Sequence, residues 1–384
     1  MIRLRLLAVT GLIVCAWPSG AVAQTTPPPA SAPGQPPGFT TPDLPFVVHV
    51  FASASATFNF NNPPDGRNEF RVFDFKANRL VFDVADVSVV REATTAKRLG
   101  FRFDLAAGET EPQVSAAAGL FRDATTGEAG HVDIPQAYVR YVAPLGAGLV
   151  IDGGKFLSPL GVESIESFDA VADNVSRSIL FGYALPMTLT GARVSYAPSA
   201  AVSVLGLVAT GWDRFTDNNA APTVGGRVRF AASPTVAIAV GALTGPEQRD
   251  DTSDRRTAFD FVLTWQLSPE TRVAFEANEG REAHAAPGGG LANWHGYAAY
   301  LRHELSPRAS LSLRGELFHD VNAARTGLSQ QLGEFTVTPE VLVRQALRLR
   351  GDLRLDASSE QPFESHAGPR RSQLTAALNA VIVF

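Results

Sequence analysis

Bond-making chemistry needs a nucleophile, a base and a group that orients the base within mutual reach, and this sequence does not space its residues that way. His49, His131, His284, His295, His303, His319 and His366 stand apart, with no paired acid or nucleophile motif around them, and each reads as a surface or rim residue. No HExxH or CxxC pattern offers a metal site, so neither metal nor cofactor is expected and the chain is read as not an enzyme. The acidic run Glu247 to Asp254 could hold Ca²⁺, although clustered loop carboxylates are usually solvated. What the sequence does space regularly is charge. Between Leu347 and Asp356, Arg348, Arg350, Asp352, Arg354 and Asp356 alternate with Leu347, Leu349, Leu353 and Leu355. Fixed charges presented to water in such a row sort and orient ions; they do not transform them.

Elements that hold charges at every second position are strands, whose side chains point alternately to opposite faces. Period-two segments occur at 46–58, 78–92, 97–107, 132–143, 147–156, 188–197, 201–213, 223–232, 235–245, 256–267, 270–280, 294–305, 308–319, 330–342, 345–357 and 371–384. The gaps between these sixteen alternate strictly between long and short, beginning 59–77, 93–96, 108–131, 144–146 and 157–187. A charged face cannot point into lipid, where each charge costs roughly 2 to 4 kcal/mol near the midplane. Sixteen half-apolar strands with no amphipathic helix to cover them, tight turns at one end and long loops at the other, therefore predict an all-β, closed antiparallel transmembrane β-barrel of about 16 strands, 14 to 18 at the limits. Tyr138, Tyr141, Tyr183, Tyr196, Trp212, Trp265, Trp294 and Tyr300 fall near strand ends and are expected to form interfacial girdles.

The chain ends agree. Residues 1–23 carry Arg3 and Arg5, an apolar run and Ala21-Val22-Ala23, the pattern of a cleaved export signal. Val14 is not the small residue a lipoprotein site wants before Cys15, which makes lipidation a minor alternative, and cleavage after Ala23 would leave no thiol at all. It would also leave 31 basic against 38 acidic residues, a net charge of −7, which argues against a nucleic-acid partner. Residues 24–45, rich in Pro, Ala, Thr and Gly, read as a periplasmic linker, leaving 46–384 for the barrel. The last strand sets Leu374, Ala376, Leu378, Ala380, Ile382 and Phe384 on one face.

Two stretches carry a family resemblance. FRVFDFKANRLVFDVADVSVV, Phe70 to Val90, has Asp74 and Asn78 in an FD-x-x-x-N pattern. GKFLSPLGVESIES, Gly154 to Ser167, is followed by NVSRSILFGYALPMTLTGARVSY, Asn174 to Tyr196, with N-x-S-R-S and T-G-x-R elements. Together they resemble the OmpL-like outer-membrane β-barrel porins of the second type, with Leu189 standing where many relatives carry His. The resemblance implies an outer-membrane pore of a Gram-negative bacterium, not an enzyme, whose partners are the lipid bilayer and small hydrophilic solutes. It also implies that Phe384 carries the signal read by the barrel-assembly machinery. Porins of this size are often homotrimers, but no trimer contact is identifiable in the sequence.

The resemblance further implies that loop 157–187 folds into the barrel and narrows it. Glu163, Glu166, Asp169, Asp173 and Arg177 are its constriction candidates. Parity places Arg98, Arg102, Arg140, Arg193, Arg227, Arg229, Arg272, Arg302, Arg314, Arg348, Arg350 and Arg354 on the inner wall against Asp104, Asp260, Glu276, Glu304, Glu316, Asp352 and Asp356, and Lys155 joins the wall candidates. An acidic loop opposite a basic wall would set a transverse field and a mild anion preference in a water-filled diffusion channel. The same charges could instead pair with one another. A filled structural or adhesion barrel and a barrel enzyme are the competing classes.

Overall fold

The computed structural model describes residues 45–384, apart from 117–119 and 124. The export signal at 1–23 and, save Pro45, the linker at 24–45 lie outside the described residues. Seventeen strands form one sheet: β1 (Val47–Asn59), β2 (Leu80–Arg91), β3 (Leu99–Ala107), β4 (Val132–Asp133), β5 (Ala137–Ala143), β6 (Leu149–Leu157), β7 (Thr188–Tyr196), β8 (Val202–Ala209), β9 (Thr223–Ala231), β10 (Val236–Pro246), β11 (Arg255–Ser268), β12 (Thr271–Glu282), β13 (Ala292–Ser306), β14 (Ala309–Asp320), β15 (Gln330–Arg344), β16 (Leu347–Ser358) and β17 (Ser372–Val383). Both β4 and β5 pair with β3, so they are one stave interrupted where Pro135 has no N–H to give the ladder. The barrel thus has sixteen antiparallel staves, and every expected strand is present. It closes where β1 meets β17, in register from Phe51 opposite Val383 to Asn59 opposite Thr375. Among the described residues no sheet edge is left to pair with another chain. Among the described residues no helix is long and apolar enough to cross a membrane.

The two faces of each stave differ as the alternation demands. Phe259, Trp265, Leu317, Leu353 and Leu378 are exposed on the outside, while Asp260, Glu316, Arg354 and Asn379 are buried within. Inside, the barrel is not simply wet. An apolar cluster of Phe156, Leu160, Ile179, Leu180, Leu189, Trp212, Trp294, Phe318 and Phe363 fills part of the lumen, built between the wall and the loop 158–187 that joins β6 to β7, with Trp212 of loop 210–222 and Phe363 of loop 359–371 added to it.

That cluster corrects the expected girdle. Trp212 and Trp294 are 3% and 0% exposed and meet edge to face inside the barrel, 6.4 Å between ring centroids. Trp294 shares its parity with Ala292, Ala298 and Tyr300, all turned inward, so its place near a strand end puts it over the loop and not at the lipid interface. Of the three tryptophans among the described residues, Trp265 alone is exposed on the outer face.

Candidate functional site: the loop inside the barrel

Loop 158–187 carries one short helix, α2 (Ile179–Tyr183), begun by Ser178, whose hydroxyl accepts the Phe181 N–H at 3.0 Å. Its buried residues Ile179, Leu180 and Phe181 face the apolar cluster, and the Trp294 indole N–H donates to the Ala184 carbonyl at 3.2 Å. Gly241 on β10 leaves the room that Leu160 occupies, since a Cβ there would stand 2.3 Å from the Leu160 side chain.

Polar contacts lock the loop against one side of the barrel. Four wall carboxylates accept loop backbone N–H groups: Asp260 from Gly161 at 3.0 Å, Glu276 from Val162 at 3.0 Å, Asp352 from Ser176 at 2.8 Å, and Glu316 from Ile179 and Leu180 at 2.7 and 3.1 Å. Wall arginines meet loop acids in return. Arg102 holds Asp169 at 2.7 Å, Arg272 holds Asp173 at 2.6 Å, Arg314 holds Glu163 at 2.8 Å and Arg350 holds Glu166 at 2.9 Å. Arg302 also reaches Asp173, at 3.4 Å, and Arg354 donates to the Arg177 carbonyl at 2.5 Å. Arg177 itself is a strut within the loop, buried and donating to the carbonyl of Ser164 at 3.2 Å beside Glu166. Burial would raise the Glu166 carboxyl, but Arg350 and Arg177 outweigh it and hold it below the usual carboxylate range. Asp169 is held low in the same way, burial opposing and Arg102 prevailing.

The opposed charges of loop and wall therefore touch instead of facing each other across water. Arg314, Arg350 and Arg354 lie on the inner wall as parity places them, but the loop covers them completely. The expected net positive wall also needs correction. Asp83, Asp86, Asp133, Asp152, Glu334 and Glu340 are further inner-wall acids beyond those the alternation had marked; a register shift at Ser53/Ala54 turns the Asp83 carboxylate inward to Ser53 and Ser55. With these included, acids balance or exceed bases over the wall as a whole. Lys155 pairs with Asp133 at 2.8 Å, and Arg348 with Glu340 at 3.3 Å.

One sector keeps its excess of cations. On β5, β7 and β9, Arg140 and Arg193 share the single carboxylate of Asp152, at 2.7 and 2.9 Å, with Tyr138 stacked beneath both guanidinium groups at 5.4 Å. Arg227 and Arg229 have no ion-pair or hydrogen-bond partner among the described residues, and the Arg227 Nε is buried without one. Their lateral neighbours explain why. Leu205 and Gly241 flank Arg227, Ser203 and Ala239 flank Arg229, and none carries a charge.

Other outer loops also turn inward. Arg71 of loop 60–79 reaches Asp356 at 2.6 Å and Thr375 at 2.8 Å. Helix α1 (Glu111–Val114) of loop 108–131 places Glu111 at a cavity of about 40 Å³ shared with Asp83, Asp86, Asp104 and Arg177. Burial first, then Asp133 and Asp86, push the Glu111 carboxyl up to about 8. The N-x-S-R-S motif was the one sequence signal of this packing, since Asn174, Ser176, Arg177 and Ser178 are loop anchors.

A family model described as "Putative beta-barrel porin-2, OmpL-like" matches residues 46–384. No curated protein matches the chain in sequence. Among solved structures, the anion-selective porin from Comamonas acidovorans is similar with a TM-score of 0.60 at 9% identity, over 88% of this chain and 99% of that one. The outer membrane channel DcaP of Acinetobacter baumannii gives 0.57 at 11% identity, covering 91% and 100%. A trimer form of the outer membrane protein OmpT of Vibrio cholerae gives 0.57 at 7% identity, covering 88% and 99%. At such identities the likeness is one of fold.

Proposed function

The chain belongs to the OmpL-like porin-2 family of Gram-negative outer-membrane β-barrels, and on that premise we propose that it forms a diffusion channel for small hydrophilic solutes with a mild preference for anions. The observation that carries the preference is the cationic sector of β5, β7 and β9, where four arginines face one carboxylate, Asp152. The passage runs along this sector, because the hydrogen bonds and ion pairs of loop 158–187 go to β3 and to β11 through β16, while its contact toward β9 is the apolar side chain of Leu160 at Gly241 of β10. A local potential set by uncompensated charge acts on ions at close quarters even where the wall as a whole is balanced.

Reversal potentials in a KCl gradient across a planar bilayer test the reading. Chloride preference in the wild type, lost in an Arg227→Gln/Arg229→Gln variant, is expected; cation selectivity in the wild type would overturn it. The apolar cluster and paired charges in the lumen favour a second reading, a filled barrel with a structural role, and that reading predicts no conductance at all. No part of the proposal gives the protein an enzymatic role. Export by cleavage after Ala23, the linker at 24–45 and a homotrimeric assembly are proposed with it. For the last, the trimer form of the Vibrio cholerae protein is the support, and cross-linking in detergent should stop at three subunits.

A further inference from the structure

Most wall arginines in this lumen have an acid; Arg98 has the Val142 carbonyl at 3.1 Å in its place, and Arg227 and Arg229, which have neither among the described residues, stand together. Arg227 and Arg229 are successive inward residues of β9, so about 7 Å of strand separates them, one pleat repeat. Both guanidinium groups are therefore within reach of one small solute. The nearest acid in the row of Arg227 is Asp260, two staves away across Gly241. It is already engaged, accepting from the Gly161 N–H at 3.0 Å and from the Asn278 amide at 2.9 Å. Nor can the loop supply a counter-charge, because Glu163, Glu166, Asp169 and Asp173 are each bound to another arginine.

Two guanidinium forks left open side by side, Arg227 partly buried and Arg229 exposed to the lumen, lack a counter-ion, and a guanidinium fork matches phosphate and carboxylate oxygens bidentately. Ser203, directly opposite Arg229 on β8, adds a hydroxyl at the same level. Higher in the barrel Arg193 continues the row, two positions up the wall beside Leu207 and Gly225. We infer that Arg227 and Arg229 form a binding subsite in the channel for compact, doubly charged oxyanions, phosphate groups or small dicarboxylates, which occupy it during transit. This rests on the channel reading above, and it goes further: a merely positive wall favours all anions in proportion to charge, whereas a two-arginine subsite saturates.

Single-channel chloride current through the full-length protein in planar bilayers is recorded with added inorganic phosphate, succinate or acetate. Phosphate and succinate should each reduce the current along a saturating curve, with acetate at least tenfold weaker. Arg227→Gln and Arg229→Gln should each weaken the block at least tenfold, and Arg229→Lys should leave part of it. If phosphate alone blocks, the subsite takes phosphate groups, and if succinate alone blocks, dicarboxylates; either result supports it. Linear, non-saturating effects that scale with charge, or a block unchanged in both Gln variants, overturn it while leaving the anion preference standing. Cation selectivity in KCl alone removes the premise instead. Should either variant fail to insert, the wild-type comparison of the two dianions with acetate still decides.

Discussion

Arg314→Leu tests how the loop is held. The guanidinium is wholly buried and ties the loop at two points to the wall: Glu163 at 2.8 Å and the Ser176 carbonyl at 2.8 Å on the loop, and Glu334 of β15 at 2.9 Å. Leucine fills most of the volume but strands two buried carboxylates. Removing one partner of a buried ion pair costs about 3 to 5 kcal/mol, because the charge left behind is uncompensated. At about 1.4 kcal/mol per factor of ten, the loop-detached population should rise roughly a hundred- to four-thousand-fold. The contrast is Arg272→Gln. Its pair with Asp173 is 51% and 29% exposed at the two side chains, and exposed pairs contribute less than about 1 kcal/mol. Single-channel recording should show noisier, larger conductance steps for Arg314→Leu and near wild-type traces for Arg272→Gln. Proteolysis should newly cut loop 158–187 in the first variant only. Adding Glu163→Gln to Arg314→Leu removes one stranded charge and should restore part of the protection, a coupling that a simple packing defect would not produce. If Arg314→Leu is as quiet and as protease-resistant as the wild type, the argument that these ion pairs position the loop is wrong.

Two further outcomes are expected. Deleting Phe384, whose backbone exchanges hydrogen bonds with Val50 at 2.8 and 3.0 Å and whose ring faces outward, should lower outer-membrane assembly far more than any lumen substitution, as seen by heat-modifiable migration of membrane fractions; normal assembly would count against its role as the assembly signal. Glu111 has a folded-state pKa raised to about 8 from 4.5, so its contribution to holding loop 108–131 is fully present below about pH 4.5 and is lost as pH rises through about 8; protease sensitivity of that loop should increase over this window and Glu111→Gln should flatten the dependence.

Strands were legible because the signal that makes them is local. The alternation of Arg348, Arg350 and Asp352 with Leu347, Leu349 and Leu353 is visible in five or six residues, and burial on one face enforces the register. Parity says which way a side chain points, but not what lies over it. Hence a place near a strand end suggests the lipid interface for Trp294, and parity sets Arg314, Arg350 and Arg354 on the inner wall, while all four lie under loop 158–187. Contacts such as Glu163 with Arg314 span 151 residues, and nothing in either local sequence announces the other. The carboxylates that accept loop N–H groups are still less visible, since every backbone offers the same donor.

The seam between β1 and β17 joins Phe51 to Val383. Bringing together ends so far apart costs about 3 kcal/mol more chain entropy than closing a ten-residue turn, by the logarithmic growth of loop closure. The first stave, although it is made first, therefore acquires one of its two neighbours last. Until the C-terminal residues arrive, its apolar outer face and one row of backbone groups stand open for the whole time the other fifteen staves are being laid down. A protein built this way carries its greatest aggregation hazard at β1, and closure of its barrel depends on β17.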